Sequence, residues 1–189
     1  MVNLAITISD GPMIPVKNET GRVVDFYPEL ELQQAVDIFL RFPSQPARPS
    51  GICYGVDHQH LGYTWFKQKF MTRLCEYFQR DLKLVFGMYT DLDQPFGVHS
   101  DIRPVDGEVY ASCLIPVSVN HDPLLCSLAT TDVFHELDHG GPIPQNPTLQ
   151  SSYQWRRGDL IWWDTRLYHS SGTFDQFQNK QAIVIHTYV

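Results

Sequence analysis

Four side chains in the second half of this 189-residue sequence have the types and order of an open metal site: His99, Asp101, His169 and Lys180. Two imidazoles and one carboxylate hold a divalent iron on one face and leave the other face open for reaction. Side chains two apart on an extended segment point the same way, so His99 and Asp101 are able to reach one ion. Lys180 opens a strand-like segment beyond His169, where it would hold an anionic cosubstrate beside the metal. A cation that begins an otherwise apolar strand needs a partner if it points inward. The chemistry this set suits is oxygenation at iron.

Positioning such a set requires strands that return to one place. Lys83–Thr90, Glu108–Val119, Leu124–Phe134, Leu149–Trp155, Leu160–Trp163 and Gln181–Val189 read as strands, rich in Val, Ile, Tyr, Trp and Thr between turn residues. Leu124–Phe134 also fits a helix. On the last strand Lys180, Ala182, Val184 and His186 share one face and Ile183 and Ile185 the other. Upstream, residues 2–9 alternate like a first strand. Pro28–Phe42 and Trp65–Arg80 carry helical apolar stripes, and the proline-rich stretch 42–50 between them reads as a loop. Helices followed by strands indicate an α+β, mainly β chain: a jelly roll, or double-stranded β-helix of cupin type, with flanking N-terminal helices. One domain is expected over 1–189, with a helical flank (1–81) and a jelly-roll core (82–189).

Composition narrows the function further. A net charge of −7 disfavours nucleic acid as a partner. Cys53, Cys75, Cys113 and Cys126 form no CxxC, and most lie among apolar neighbours, which suits buried thiols in a reducing compartment. The N-terminus is too short and uncharged for a signal peptide, and no apolar run reaches membrane-spanning length. A cytoplasmic location is the expectation.

From Tyr89 onward the chain resembles the iron(II)/2-oxoglutarate-dependent dioxygenases, in their prolyl 4-hydroxylase-like branch. The resemblance covers about residues 82–189 and lies in Tyr89, His99-Ser-Asp101, Gly158-Asp-Leu before a Trp-rich strand, His169-Ser-Ser-Gly and Lys180. It implies that His99, Asp101 and His169 are the metal ligands and the catalytic set. It implies also that Lys180 pairs with the far carboxylate of 2-oxoglutarate and that Tyr89 lines the same pocket. Most of the family uses arginine in place of Lys180, and lysine lacks arginine's two-pronged hydrogen bonding. The implied cofactors are iron(II) and 2-oxoglutarate as cosubstrate, with ascorbate as a candidate reductant. The implied reaction hydroxylates a small molecule or a peptidyl residue with dioxygen, releasing succinate and carbon dioxide. Halogenases of this family lack the carboxylate, so Asp101 favours hydroxylation. Arg103, Trp163 and Arg166, close in sequence to the ligands, are candidate substrate-binding residues.

Two rivals share the chain. His135-Glu-Leu-Asp-His139 matches the HExxH zinc-protease signature, which needs both histidines on one stable helix and a third ligand downstream. Gly140-Gly-Pro-Ile-Pro144 would end such a helix at once, so a loop between strands is expected there. His58-Gln-His60 reads as a polar loop. The alternative of another class is a non-catalytic metal-binding cupin module, against which Lys180 argues.

Overall fold

The structure, a computed structural model, describes residues 16–46, 51–55, 61–102, 108–172 and 179–189. The segment expected as a first strand (2–9), His58, His60 and Arg103 lie outside the described residues. In chain order the elements are β1 (Thr20–Val23), α1 (Glu29–Phe39), β2 (Ser44–Pro46), β3 (Ile52–Gly55), α2 (Leu61–Phe66), a π-helical turn (Lys67–Met71) and α3 (Thr72–Phe78). There follow β4 (Lys83–Leu92), β5 (Val109–Val119), a 3₁₀ helix (Pro123–Leu128), β6 (Thr130–Leu137), β7 (Leu149–Gln154), β8 (Leu160–Asp164), β9 (Leu167–Ser171) and β10 (Lys180–Tyr188).

The strands form a seven-stranded sheet, ordered β1-β8-β5-β10-β4-β3-β2, and a three-stranded sheet, β7-β6-β9. All of their pairings are antiparallel. This is the mainly β, jelly-roll architecture expected. Strict alternation along the central strands gives the large sheet two different faces. Cys113 and Ile115 of β5, Trp162 of β8, and Ile183 and Ile185 of β10 pack toward the helices, against residues such as Phe39, Phe70, Leu74 and Phe78. Leu114, Ile161, Trp163 and Ala182 point the other way, toward the small sheet and its Val133, Leu167 and neighbouring Trp155.

The helices form where the pattern predicts, with corrected ends. In α1 the buried Leu32, Ala35, Val36 and Phe39 fall on one face, and Glu29 and Glu31 suit the positive end of the helix dipole. Pro28 is the N-cap residue of α1, and the helix itself begins at Glu29. The second helical stripe runs from α2 through the π turn and stops at Phe78, because Gln79 turns left-handed (φ 52°) and its N–H closes on Cys75 O. Gly87 gives the Phe66 ring room: a Cβ there would lie 2.8 Å from Phe66 Cζ.

β1, β2, β3 and β9 lie outside the segments expected as strands, and β6 starts later than expected. Among the described residues β1 is a short edge strand paired only with β8, and β2 lies inside the stretch expected as a loop. Edge strands need only one partner and carry little apolar alternation, so the composition of Thr20–Val23 and Ser44–Pro46 does not mark them. The 124–134 segment divides into the 3₁₀ helix and the start of β6. The four cysteines are unpaired, with Cys75, Cys113 and Cys126 buried. Among the described residues no helix is long and apolar enough to cross a membrane.

Candidate metal centre and cosubstrate pocket

His99 and His169 meet through the backbone first. His99 N–H donates to His169 O at 2.9 Å, and His169 N–H donates to His99 O at 2.8 Å. This isolated antiparallel bridge ties the segment after β4 to β9. Two residues on, Asp101 N–H donates to Thr165 O at 3.3 Å. The side chains follow from that pairing. The two imidazole rings lie 4.2 Å apart. Asp101 Oδ2 is 3.2 Å from His169 Nε2, and Asp101 Oδ1 is 3.8 Å from His99 Nε2. One ligand atom from each of the three residues falls within 4.8 Å of the others.

The protonation states suit a cation. His99 Nδ1 lies 2.8 Å from Gly97 O and His169 Nδ1 lies 3.2 Å from Leu167 O. A carbonyl only accepts, so each Nδ1 is the donor there and each Nε2 is the atom turned toward Asp101. Burial pushes His169 down to about 4, outweighing the pull of Asp101. Burial would raise the Asp101 carboxyl, but His169, His186, His99 and the Ser112 hydroxyl together hold it at about 2. Asp101 Oδ2 is buried and accepts no hydrogen bond among the described residues. Two imidazole Nε2 atoms around a buried carboxylate oxygen are a donor set that a divalent iron satisfies.

The three residues open into a cavity of about 660 Å³. Lys180 lies on its wall, 5 % exposed. Its Nζ donates to Ser171 Oγ and sits 5.0 Å from the centre of the Trp155 ring. Burial lowers this ammonium to about 7. Thr131 accepts from Trp155 Nε1 at 2.9 Å beside it. An ammonium, hydroxyls and an aromatic wall on one side of the cavity are groups that could hold a carboxylate.

The other sequence candidates divide. Trp163 lines the cavity, its ring 4.5 Å from that of His169. Tyr89 does not line it. It is register partner of Ile183, whose other partner is Ile115, and shares their helix-facing side beside Phe39 and Tyr54. Its neighbours Met88 and Thr90 face the cavity, so strand alternation excludes Tyr89. Arg166 is also outside: its Nε donates to Asp164 Oδ1 at 2.9 Å and its guanidinium pairs with that carboxylate. The HExxH segment is not helical. His135–Leu137 end β6, which puts successive side chains on opposite faces and excludes the zinc-protease geometry. His135 and His139 are exposed. They lie in a strand end and the turn after it, instead of wholly in a loop.

His186, on the same strand face as Lys180, also borders the cavity. It stacks on Phe86 at 4.2 Å, and places Nδ1 2.9 Å from Ser112 Oγ and 3.6 Å from Asp101 Oδ2. Its shared face with Lys180 was the signal available in the sequence.

No family model matches the sequence, and no curated protein matches it significantly. Solved structures do. An oxidoreductase of the 2OG-Fe(II) oxygenase family from Burkholderia pseudomallei superposes with a TM-score of 0.61 at 12% identity, covering 88% of this chain and 83% of that one. A Pseudomonas putida prolyl-4-hydroxylase gives 0.61 at 10% identity, covering 89% and 91%. HygX from Streptomyces hygroscopicus, solved with nickel and 2-oxoglutarate bound, gives 0.56 at 12% identity, covering 89% and 82%. The fold is that of the 2-oxoglutarate/iron(II) oxygenases.

Proposed function

We propose that this chain is an iron(II)- and 2-oxoglutarate-dependent dioxygenase that hydroxylates an organic substrate, with release of succinate and carbon dioxide. The observation that carries the reading is the convergence of His99, Asp101 and His169 in one cavity with a buried Lys180. His99 and His169 would bind iron through Nε2, and Asp101 would supply the third, anionic ligand. Bound iron and its keto acid together supply the oxidising power, by coupling decarboxylation to activation of dioxygen.

The remaining work falls to the protein. Lys180 would hold the distal carboxylate of 2-oxoglutarate, with Ser171 and Thr131 beside it. Trp155 and Trp163, 2 % exposed each, would keep water from that side of a bound metal. Ser112 and His186 would steady the Asp101 carboxylate from behind. A barrel built only around a structural ion has no use for an ammonium buried at this cost.

The test is succinate formation from 2-oxoglutarate by the iron-loaded protein, with and without ascorbate. Slow turnover in the absence of substrate is expected, and it disappears in Lys180→Ala. Iron bound at full occupancy with no 2-oxoglutarate binding would overturn the reading in favour of a binding module.

A further inference from the structure

Aromatic side chains join the two faces of the large sheet beside the metal centre. Trp163 lies on the cavity side, its ring centred 4.5 Å from that of His169. Trp162, its covalent neighbour on β8, points through the sheet to the helical side, as strand alternation requires. There Trp162 Nε1 donates to Tyr77 Oη at 3.3 Å. Trp162 is buried, whereas Tyr77 of α3 is half-buried and keeps part of its surface in solvent. Trp163, Trp162 and Tyr77 therefore form a file that runs from a metal-ligand ring to the outside of the molecule.

Tryptophan and tyrosine are among the side chains that give up a single electron most readily. Electron tunnelling weakens steeply with distance, so a file of such groups passes an electron in short steps where one long jump would fail. The hydrogen bonding along the file suits this use. Trp163 Nε1 is buried and meets no acceptor among the described residues, an uncommon state for an indole. With no base beside it, an oxidised Trp163 keeps its proton and its full pull on the next electron. At the far end the demand is reversed, because a phenol that loses an electron must also lose its proton. Tyr77 Oη accepts from Trp162, and its half-exposed hydroxyl can hand its own proton to water. A competing donor, Cys113, is the register partner of Trp162. It is buried, and burial holds its thiol above the usual range, so it lacks that outlet.

We propose that Trp163, Trp162 and Tyr77 are an electron conduit that drains oxidising equivalents from the metal centre to the protein surface when no substrate takes them. The proposal rests on the oxygenase reading of the cavity. Trp163 gives one electron to the oxidant at the metal, Trp162 refills Trp163, and Tyr77 refills Trp162. The Tyr77 proton goes to bulk water and leaves a neutral tyrosyl radical. A soluble enediol such as ascorbate returns one electron and one proton to Tyr77, outside the cavity.

Spin trapping with mass-spectrometric mapping tests it. Iron(II)-loaded protein, freed of excess metal, is treated without substrate in two samples that contain a nitroso spin trap. One receives hydrogen peroxide, which needs no cosubstrate; the other receives dioxygen and 2-oxoglutarate. The trap is expected on Tyr77 in both, and zinc(II)-loaded protein should carry none. Trp162→Phe should retain iron and lose the Tyr77 adduct, with oxygen added to Trp163 instead. Trapping chiefly at another site, such as Tyr153 of the small sheet, overturns the proposal. So does a Tyr77 adduct that survives in Trp162→Phe or forms with zinc. If Trp162→Phe fails to fold, the map of the native protein decides. Succinate is measured in the second sample: its absence there marks failure of the oxygenase reading, while the peroxide sample still judges the conduit.

Discussion

Ser100, the residue between the two ligands of the His99–Asp101 segment, donates its hydroxyl hydrogen bond to Asp138 at 2.5 Å. Asp138 is itself pinned: its N–H donates to Arg166 O at 2.8 Å, and its Oδ1 accepts from Gly140 N–H at 2.7 Å. The Ser100 hydroxyl and the Gly140 N–H also hold this carboxyl below its ordinary range, so it remains an acceptor. The segment that imitates a zinc-protease signature thus anchors the His99–Asp101 segment opposite.

Removing that anchor should loosen the site without removing a ligand. Ser100→Ala and Asp138→Ala are each expected to weaken metal binding toward the low end of about 10–100-fold. The double variant should cost no more than the worse single one, since both delete the same bond. Cobalt(II) titration followed by absorption measures this, and unchanged affinity in both variants would show that the bond does not support the site.

Ligand substitutions separate the two histidine motifs. His99→Ala, Asp101→Ala and His169→Ala are each expected to abolish stoichiometric iron binding, whereas His135→Ala and His139→Ala leave it intact. Metal analysis after gel filtration decides. Iron that survives His99→Ala and is lost with His135→Ala would sink the assignment.

The legible part of the site was the part that depends on spacing within one segment. His99 and Asp101 share a side because they are two apart, and Lys180 shares a face with His186 because they are six apart. What depends on a strand's absolute phase was not legible. Tyr89 lies on a strand that does border the cavity, but its alternation puts Met88 and Thr90 inward. Nothing within β4 says which parity faces the metal; pairing with Ile183 across β10 decides it. Arg166 is near His169 in sequence but follows the turn at Thr165, where Asp164 captures it. The strands β1 and β2 are hidden for a related reason, since an edge strand is specified by its one neighbour more than by its own residues.

Lys180 should make cosubstrate binding consume protons. Burial holds it at about 7 instead of its ordinary 10.5, so above neutrality it is largely uncharged. A carboxylate docking beside it restores the charged form and draws in up to a single proton. Calorimetry of 2-oxoglutarate binding to the zinc-loaded protein at pH 8.5, in buffers of different ionisation enthalpy, should show this uptake, and Lys180→Met should lose it. The same depression means that the unfolded chain binds more protons between pH 7 and 10.5, so this residue's contribution to stability improves as pH rises through that window. Absence of proton uptake in the native protein would place another group against the cosubstrate.

His186 is expected to set how acid-resistant the metal is. It is one of the groups that keep Asp101 ionised, and Asp101 must be ionised to bind a cation. In His186→Leu the Asp101 carboxyl should rise, moving the midpoint of acid-driven cobalt release to higher pH. An unmoved midpoint would reduce His186 to wall packing.

Gly87→Ala tests the layer beneath the site. The added methyl would meet the Phe66 ring at 2.8 Å, an overpacking that costs about 1–3 kcal/mol. Thermal unfolding of the metal-free protein should show the loss, with metal affinity little changed because Gly87 shares the helix-facing side of β4 with Tyr89.

The reciprocal main-chain pairing of His99 with His169 makes the separation of the two imidazoles a property of the folded polypeptide and not of whatever ion it holds. The ordering entropy of that pair is met when the chain folds, so capture of an ion needs no local refolding. Chelators should therefore strip and other divalent ions refill the centre reversibly, in the manner of a rigid socket.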